Sequence, residues 1–143
     1  MANLERAIEL AAAAHAGQVD KAGQPYILHP IRVMLSVNSP NERMAAILHD
    51  IVEDTPTTFD DLTSEGFPHD VIKAVRALTK EEGESRIDAA NRAVQNAIAR
   101  VVKLSDVADN MDMSRIPNPT EKDYARLSEY ETVRKILLAG NPT

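Results

Sequence analysis

Once its helix-start and helix-stop signals are marked, no five-residue run of this chain alternates between polar and apolar residues. Strands are therefore not needed, and the 143 residues divide into helical pieces. The first runs from about Asn3 to Gly17, with Asn3 as cap and Leu4, Ala7, Ile8, Ala11 and Ala14 on one face. A polar loop, Gln18 to Pro25, leads to a short helix starting near His29-Pro30. Ser39-Pro40-Asn41-Glu42 supplies a cap, a first-turn proline and an acid three residues on. It launches a helix predicted from Glu42 to Asp54, which Pro56 stops. Thr58 caps a short helix ending near Gly66, and Pro68 opens another to Leu78. The pattern then predicts Arg86 to Ala99 and a stretch through Val101 to Met113 without a clean break. Thr120 caps the last helix and Gly140 closes it.

Composition agrees with this parsing. Aromatic residues are 3% and Trp is absent, so the core comes from Ala, Leu, Ile, Val and Met, which favours helix on helix over a β-sandwich. The expected fold class is all-α, a helical bundle in one domain over residues 1–143. Net charge is −6, which argues against a broad nucleic-acid surface. An anionic small molecule remains compatible, because a metal or a few local cations can dominate one pocket. Cysteine is absent, leaving His and carboxylate as candidate metal ligands. No signal peptide or membrane span is evident at the N-terminus, and the expected address is the cytoplasm.

Met44 to Val52 is apolar nearly all round except at His49 and Asp50. An ionised Asp in such surroundings costs several kcal/mol unless something compensates it. Taken alone, the pair is read more simply as a buried His–Asp hydrogen bond or a face turned to solvent. Company changes that reading. His29 opens the preceding helix, and Asp106 is an acid inside the apolar run Val101 to Ala108. A divalent ion drawing on His29, His49, Asp50 and Asp106 would take ligands from three packed helices, as helical bundles commonly do. Such a set suits Mn²⁺, Fe²⁺, Co²⁺ or Zn²⁺.

Glu53 and Asp54 follow His49 and Asp50 by one turn each, about 5.4 Å along the same face. That is too far for a direct ligand without bending, but suited to reaching a water or a leaving group. Their place at a helix C-terminus is mildly unfavourable, although a solvated helix end accounts for them equally well. Asn110 follows Asp106 by one turn and could bond a phosphate or a ligand carboxylate. Lys21, Lys103 and Arg115 are the nearest basic candidates for gripping phosphate, each individually read as a surface charge.

The pattern His29…His49-Asp50…Asp106 resembles the ligand set of the HD phosphohydrolase superfamily. Ala14 to Gln18, Lys21 to Pro30, Leu48 to Thr55 and Val102 to Asp106 resemble, in that order, the hydrolase domains of RelA/SpoT-type alarmone enzymes, above all small stand-alone ones. The resemblance implies an all-α fold and a Mn²⁺-like ion on His29, His49, Asp50 and Asp106. It also implies catalytic acids at Glu53 and Asp54, nucleotide contacts at Lys21 and Asn110, and removal of pyrophosphate from the 3′ position of a ppGpp-like nucleotide. Two segments depart from the family pattern. Asp20-Lys21-Ala22 stands where Arg-Lys-Ser is usual, and Met111-Asp112-Met113 where Met-Arg-Thr is usual. These changes leave two other readings in play: an HD phosphohydrolase for another nucleotide or phosphoester, and a non-catalytic nucleotide-binding module. A second copy could pack on the exposed face of the last helix, Tyr124 to Leu138, as a homodimer.

Overall fold

The computed structural model describes residues 2–140. Met1 and residues 141–143, the ends of the expected domain span, lie outside them. Nine helices follow one another among the described residues: α1 (Leu4–Ala14), α2 (Leu28–Leu35), α3 (Pro40–Leu48), α4 (Ile51–Asp54), α5 (Phe59–Glu65), α6 (His69–Leu78), α7 (Arg86–Ala93), α8 (Ala97–Asn110) and α9 (Glu121–Ala139). The only β feature among them is one isolated bridge, Val19 to Pro25. None of these helices is long and apolar enough to cross a membrane.

Local signals act where the chain places them. Asn3 accepts from the Arg6 amide at 2.9 Å, and reciprocal capping boxes start α3 (Ser39 with Glu42), α5 (Thr58 with Asp61) and α9 (Thr120 with Asp123). Each such cap contributes about 1 kcal/mol to its helix. Gly66 ends α5 in the left-handed conformation, φ +85°, that a side chain resists.

Two expected helices are each divided. The helix predicted through Asp54 breaks at His49-Asp50: the His49 amide bonds back only three residues to Ala46, and Asp50 sits at φ −103°, ψ 0°. The second break lies at Val94–Asn96, where the Asn96 side chain caps α8 through the Ala99 amide at 2.9 Å. At its far end α1 stops at Ala14, one turn short of the expected Gly17.

Helix α3 is the centre of the molecule, packed on α1, α2, α6 and α8. Ala45, Ala46, Ile47 and Leu48 are fully buried there with Ala7 and Ala11 of α1, Val33 of α2, and Val71, Ala74 and Val75 of α6. Burying one Ile or Leu of this kind stabilises by about 1.5–3 kcal/mol. A second cluster joins Ala90 of α7, Val107 of α8, and Val133 and Leu137 of α9. Helix α8 serves both clusters, Val102 in the first and Val107 in the second. Between them on α8, Lys103 and Asp106 face the seam, where they line a cavity.

Candidate active site

The four expected ligands meet at that seam. His29 comes from the first turn of α2, His49 and Asp50 from the break between α3 and α4, and Asp106 from the third turn of α8. His29 Nε2 is 2.9 Å from Asp106 Oδ1 and 3.7 Å from Asp50 Oδ2; His49 Nε2 is 3.0 Å from Asp50 Oδ2 and 3.3 Å from Asp106 Oδ1. The break explains the geometry. An unbroken helix would point successive residues about 100° apart, whereas here both His49 and Asp50 reach the same point.

The hydrogen bonds behind the rings decide which nitrogen faces that point. His49 Nδ1 donates to the Ala46 carbonyl at 2.6 Å, and His29 Nδ1 donates to Asp109 Oδ2 at 2.7 Å. In a neutral imidazole a proton on Nδ1 leaves Nε2 as a lone pair. His49 Nε2 is fully buried and aligned for no hydrogen bond, although two carboxylate oxygens lie close to it. Two imidazole nitrogens and two carboxylate oxygens aimed at one buried point form a donor set that fits a divalent cation.

Electrostatics point the same way. Burial opposes the charge on Asp106, but Lys103, His49 and His29 hold it well below the usual carboxylate range. Asp50 is held low against its burial by His49. Burial likewise opposes charge on the rings, yet bonds to Asp106 and Asp109 lift His29 to about 9, and Asp50 and Asp106 raise His49 well above its ordinary value. The carboxylates therefore attract positive charge to this point strongly enough to outweigh desolvation.

Glu53 and Asp54 come closer than the rise of one turn suggested. One oxygen from each, with one from Asp50, lie within 4.8 Å of one another. Burial, then Asp50 and Glu53, raise the Asp54 carboxyl. Glu53 Oε1 also accepts from the Lys80 amide at 2.9 Å, which ties α4 to the loop after α6.

These carboxylates line a cavity of about 500 Å³. Lys21, Lys103, Asn110 and Arg115 all line it, together with Arg32, Lys80, Arg86 and Arg126. Several of these groups are already engaged. Lys103 Nζ and Asn110 Nδ2 bond the two oxygens of Asp106 at 2.8 and 3.1 Å. Arg115 pairs with Asp112 at 3.1 Å, and Lys21 lies 3.9 Å from Asp123. The acid at Asp20 is also accounted for, because its Oδ1 accepts from the Ala22 and Gln24 amides, both at 2.9 Å. It shapes the loop as an Asx-type turn does.

Sequence reasoning missed Tyr26, Arg32, Asp109 and His15 as members of the site. The Tyr26 hydroxyl donates to Asp50 Oδ2 at 2.5 Å. Buried His15 packs on the Tyr26 ring and bonds Gln18, whose amide donates to the Asp54 carbonyl. Tyr26, His15 and Gln18 sit inside the sequence blocks that carry the family resemblance, which was a usable signal. Arg32 and Asp109 stand three residues after His29 and Asp106, one turn along each helix.

The fold and this cluster together define an HD-type helical domain. A family model described as an HD domain matches residues 7–105, and the chain belongs to that family. It is 33% identical over 136 residues to the guanosine-3′,5′-bis(diphosphate) 3′-pyrophosphohydrolase MESH1 of Drosophila melanogaster, covering 86% of this chain and 75% of that one. The Danio rerio MESH1 is 34% identical with the same coverage. A pyrophosphohydrolase of the same description from Aquifex aeolicus is 34% identical over 76% of this chain, which spans only 17% of that longer protein. Among solved structures, one reported as a metazoan ortholog of SpoT that hydrolyzes ppGpp superposes with a TM-score of 0.77 at 27% identity, over 98% of this chain and 85% of that one.

Proposed function

We propose that this chain is a Mn²⁺-dependent phosphohydrolase that removes pyrophosphate from the 3′ position of a ppGpp-like nucleotide. One observation carries the reading: His29, His49, Asp50 and Asp106 converge their donor atoms at one end of a cavity whose walls hold Lys21, Lys80, Arg86, Lys103, Arg115 and Arg126. Those four residues would hold a divalent ion, which would supply Lewis acidity toward a phosphoryl oxygen and lower the pKa of a nearby water. Glu53 and Asp54 stand beside that point, and a carboxylate there orients the attacking water and takes its proton. Asp54, raised by burial and by its acidic neighbours, is suited to returning a proton to the leaving oxygen. The cavity cations bind the anionic remainder of the nucleotide, and Tyr26 fixes the Asp50 carboxylate through its hydroxyl. Relatives named for this hydrolysis, matched over three quarters of their length, support the same reading.

The pairing of Arg115 with Asp112 and the closeness of Lys21 to Asp123 favour one second reading. Cations partly neutralised in advance suit a substrate with fewer phosphates, so the same chemistry would act on another nucleotide. The test is a screen of nucleotides with Mn²⁺ present, ppGpp included, that follows phosphate and pyrophosphate separately. Pyrophosphate from ppGpp alone supports the first reading, and turnover of another nucleotide with ppGpp inert supports the second. Tight binding with no turnover of any nucleotide overturns both.

A further inference from the structure

Beside the four converging donors the cavity lining holds another carboxylate, Asp109, which bonds one of those donors on the side away from the shared point. Asp109 lies on α8, its side chain 12% exposed. Its Oδ2 accepts from His29 Nδ1 at 2.7 Å. Arg32 forks onto it, Nε to Oδ1 at 2.7 Å and Nη2 to Oδ2 at 3.0 Å. Arg115 closes the far side, donating to the Asp109 carbonyl at 3.2 Å with Nη2 3.5 Å from Oδ2.

We propose that Asp109 is the positioning residue of the metal centre: it holds the His29 ring in the tautomer and orientation that turn Nε2 onto the ion, while Arg32 holds Asp109. The proposal rests on the metal-dependent reading above. Its physical basis is the contrast between the two histidines. The His49 ring is fixed by a backbone carbonyl of its own helix, a partner that cannot move away. The acceptor for His29 Nδ1 is a side chain from another helix, 80 residues along the chain. Rotation of an imidazole about its outer torsion is broad and soft, so the acceptor fixes the direction of Nε2. A carboxylate in this place also makes the ligating nitrogen more basic.

An ion pair between α2 and α8 would by itself need only Arg32 and Asp109, whose two-point fork is complete without the histidine. Instead Oδ2 is shared, and the His29 bond is as short as the shorter arm of the fork. Arg32 has its own part, because it neutralises a charge that would otherwise add to Asp50 and Asp106 at the same seam.

The experiment titrates Mn²⁺ alone into the whole chain and follows free ion by its electron paramagnetic resonance signal. Asp109→Ala is expected to weaken Mn²⁺ binding by about 10–100-fold. Asp109→Asn keeps an acceptor oxygen for His29 and is expected to bind within about threefold of the parent chain. Arg32→Leu removes the ion pair but leaves the His29 bond, so it is expected to lower the melting temperature of the metal-free protein while costing less affinity than Asp109→Ala. Asp109→Ala binding within about twofold of the parent overturns the proposal, as does Asn binding as weakly as Ala. Arg32→Leu matching the loss in Asp109→Ala also overturns it, since the ion pair would then be the cause. Should Asp109→Ala not fold, Asp109→Ser is read against the same limits. A parent chain that takes up no Mn²⁺ overturns the metal reading and this one with it; equal binding by parent and Ala variant overturns this one alone.

Discussion

Lys103 Nζ lies 2.8 Å from Asp106 Oδ2, so the acid that faces both histidines carries a counter-charge on its own helix, one turn earlier. Asn110 takes the other oxygen from one turn later. Asp106 is thus held by α8 itself before any other helix contributes, and its burial at 4% exposure is compensated locally.

Removing that counter-charge leaves a buried carboxylate short of a partner. Lys103→Met is expected to cost about 3 kcal/mol in the metal-free protein, the cost of breaking a buried pair from one side. Added Mn²⁺ should restore part of that loss, because an ion at the seam supplies the missing positive charge. Urea unfolding with and without Mn²⁺ measures both quantities.

Glu53→Gln and Asp54→Asn remove proton transfer while keeping size. Each is expected to lower kcat by about 10²–10⁴-fold, with Mn²⁺ binding retained because neither residue belongs to the four-donor set. Initial rates of pyrophosphate release at saturating nucleotide are the measurement. Rates within threefold of the parent would assign the proton to neither residue.

Glu84 gives a pH dependence that lies away from the site. Its carboxylate accepts from Arg92 Nε and Nη2, both at 2.9 Å, and from the Glu81 amide; these bonds, Arg92 first, hold it down to about 2. Because the folded value is below the ordinary carboxylate value of 4.5, the stabilisation is fully present above pH 4.5 and lost as pH falls toward 2. Glu84→Gln should therefore melt below the parent at pH 6, with the gap narrowing steadily from pH 4.5 toward pH 2. A gap that stays constant in thermal melts across that range would dismiss the pairing.

Gly140 marks a close approach. A Cβ placed there would meet Val94 Cγ2 at 2.2 Å, where α9 ends against the break after α7. Gly140→Ala is expected to destabilise by about 1–3 kcal/mol through overpacking. In the Gly140→Ala, Val94→Ala double variant the two costs should not add, since the second change removes the colliding methyl. Chemical denaturation of the four proteins completes the cycle.

The sequence was most legible where physics is local. Ser39 with Glu42, Thr58, Thr120 and the stop at Gly66 act within one turn, and each starts or ends its helix as read. The four converging residues were legible as a set through their placement in apolar helical runs and through the family resemblance. The break at His49-Asp50 was not, because nothing in Met44 to Val52 disfavours a continuous helix; the hydrogen bond from the His49 ring to Ala46 and the contacts across the seam set it. Asn96 was overlooked as a cap because it sits between apolar runs that read as one. The Arg32–Asp109 pair joins residues 77 apart in sequence, a contact that no periodicity announces.

The turn built by Asp20 has a consequence for how such chains diversify. Because its carboxylate bonds the amides of Ala22 and Gln24, the loop keeps its shape by means internal to itself. The side chains it presents to the cavity at Lys21 and Ala22 can be exchanged without disturbing the helices that carry the reacting groups. The wall of the cavity at this loop and the helices that bring His29, His49, Asp50 and Asp106 together are thus separate pieces of structure, and the first can change its side chains while the second stands still.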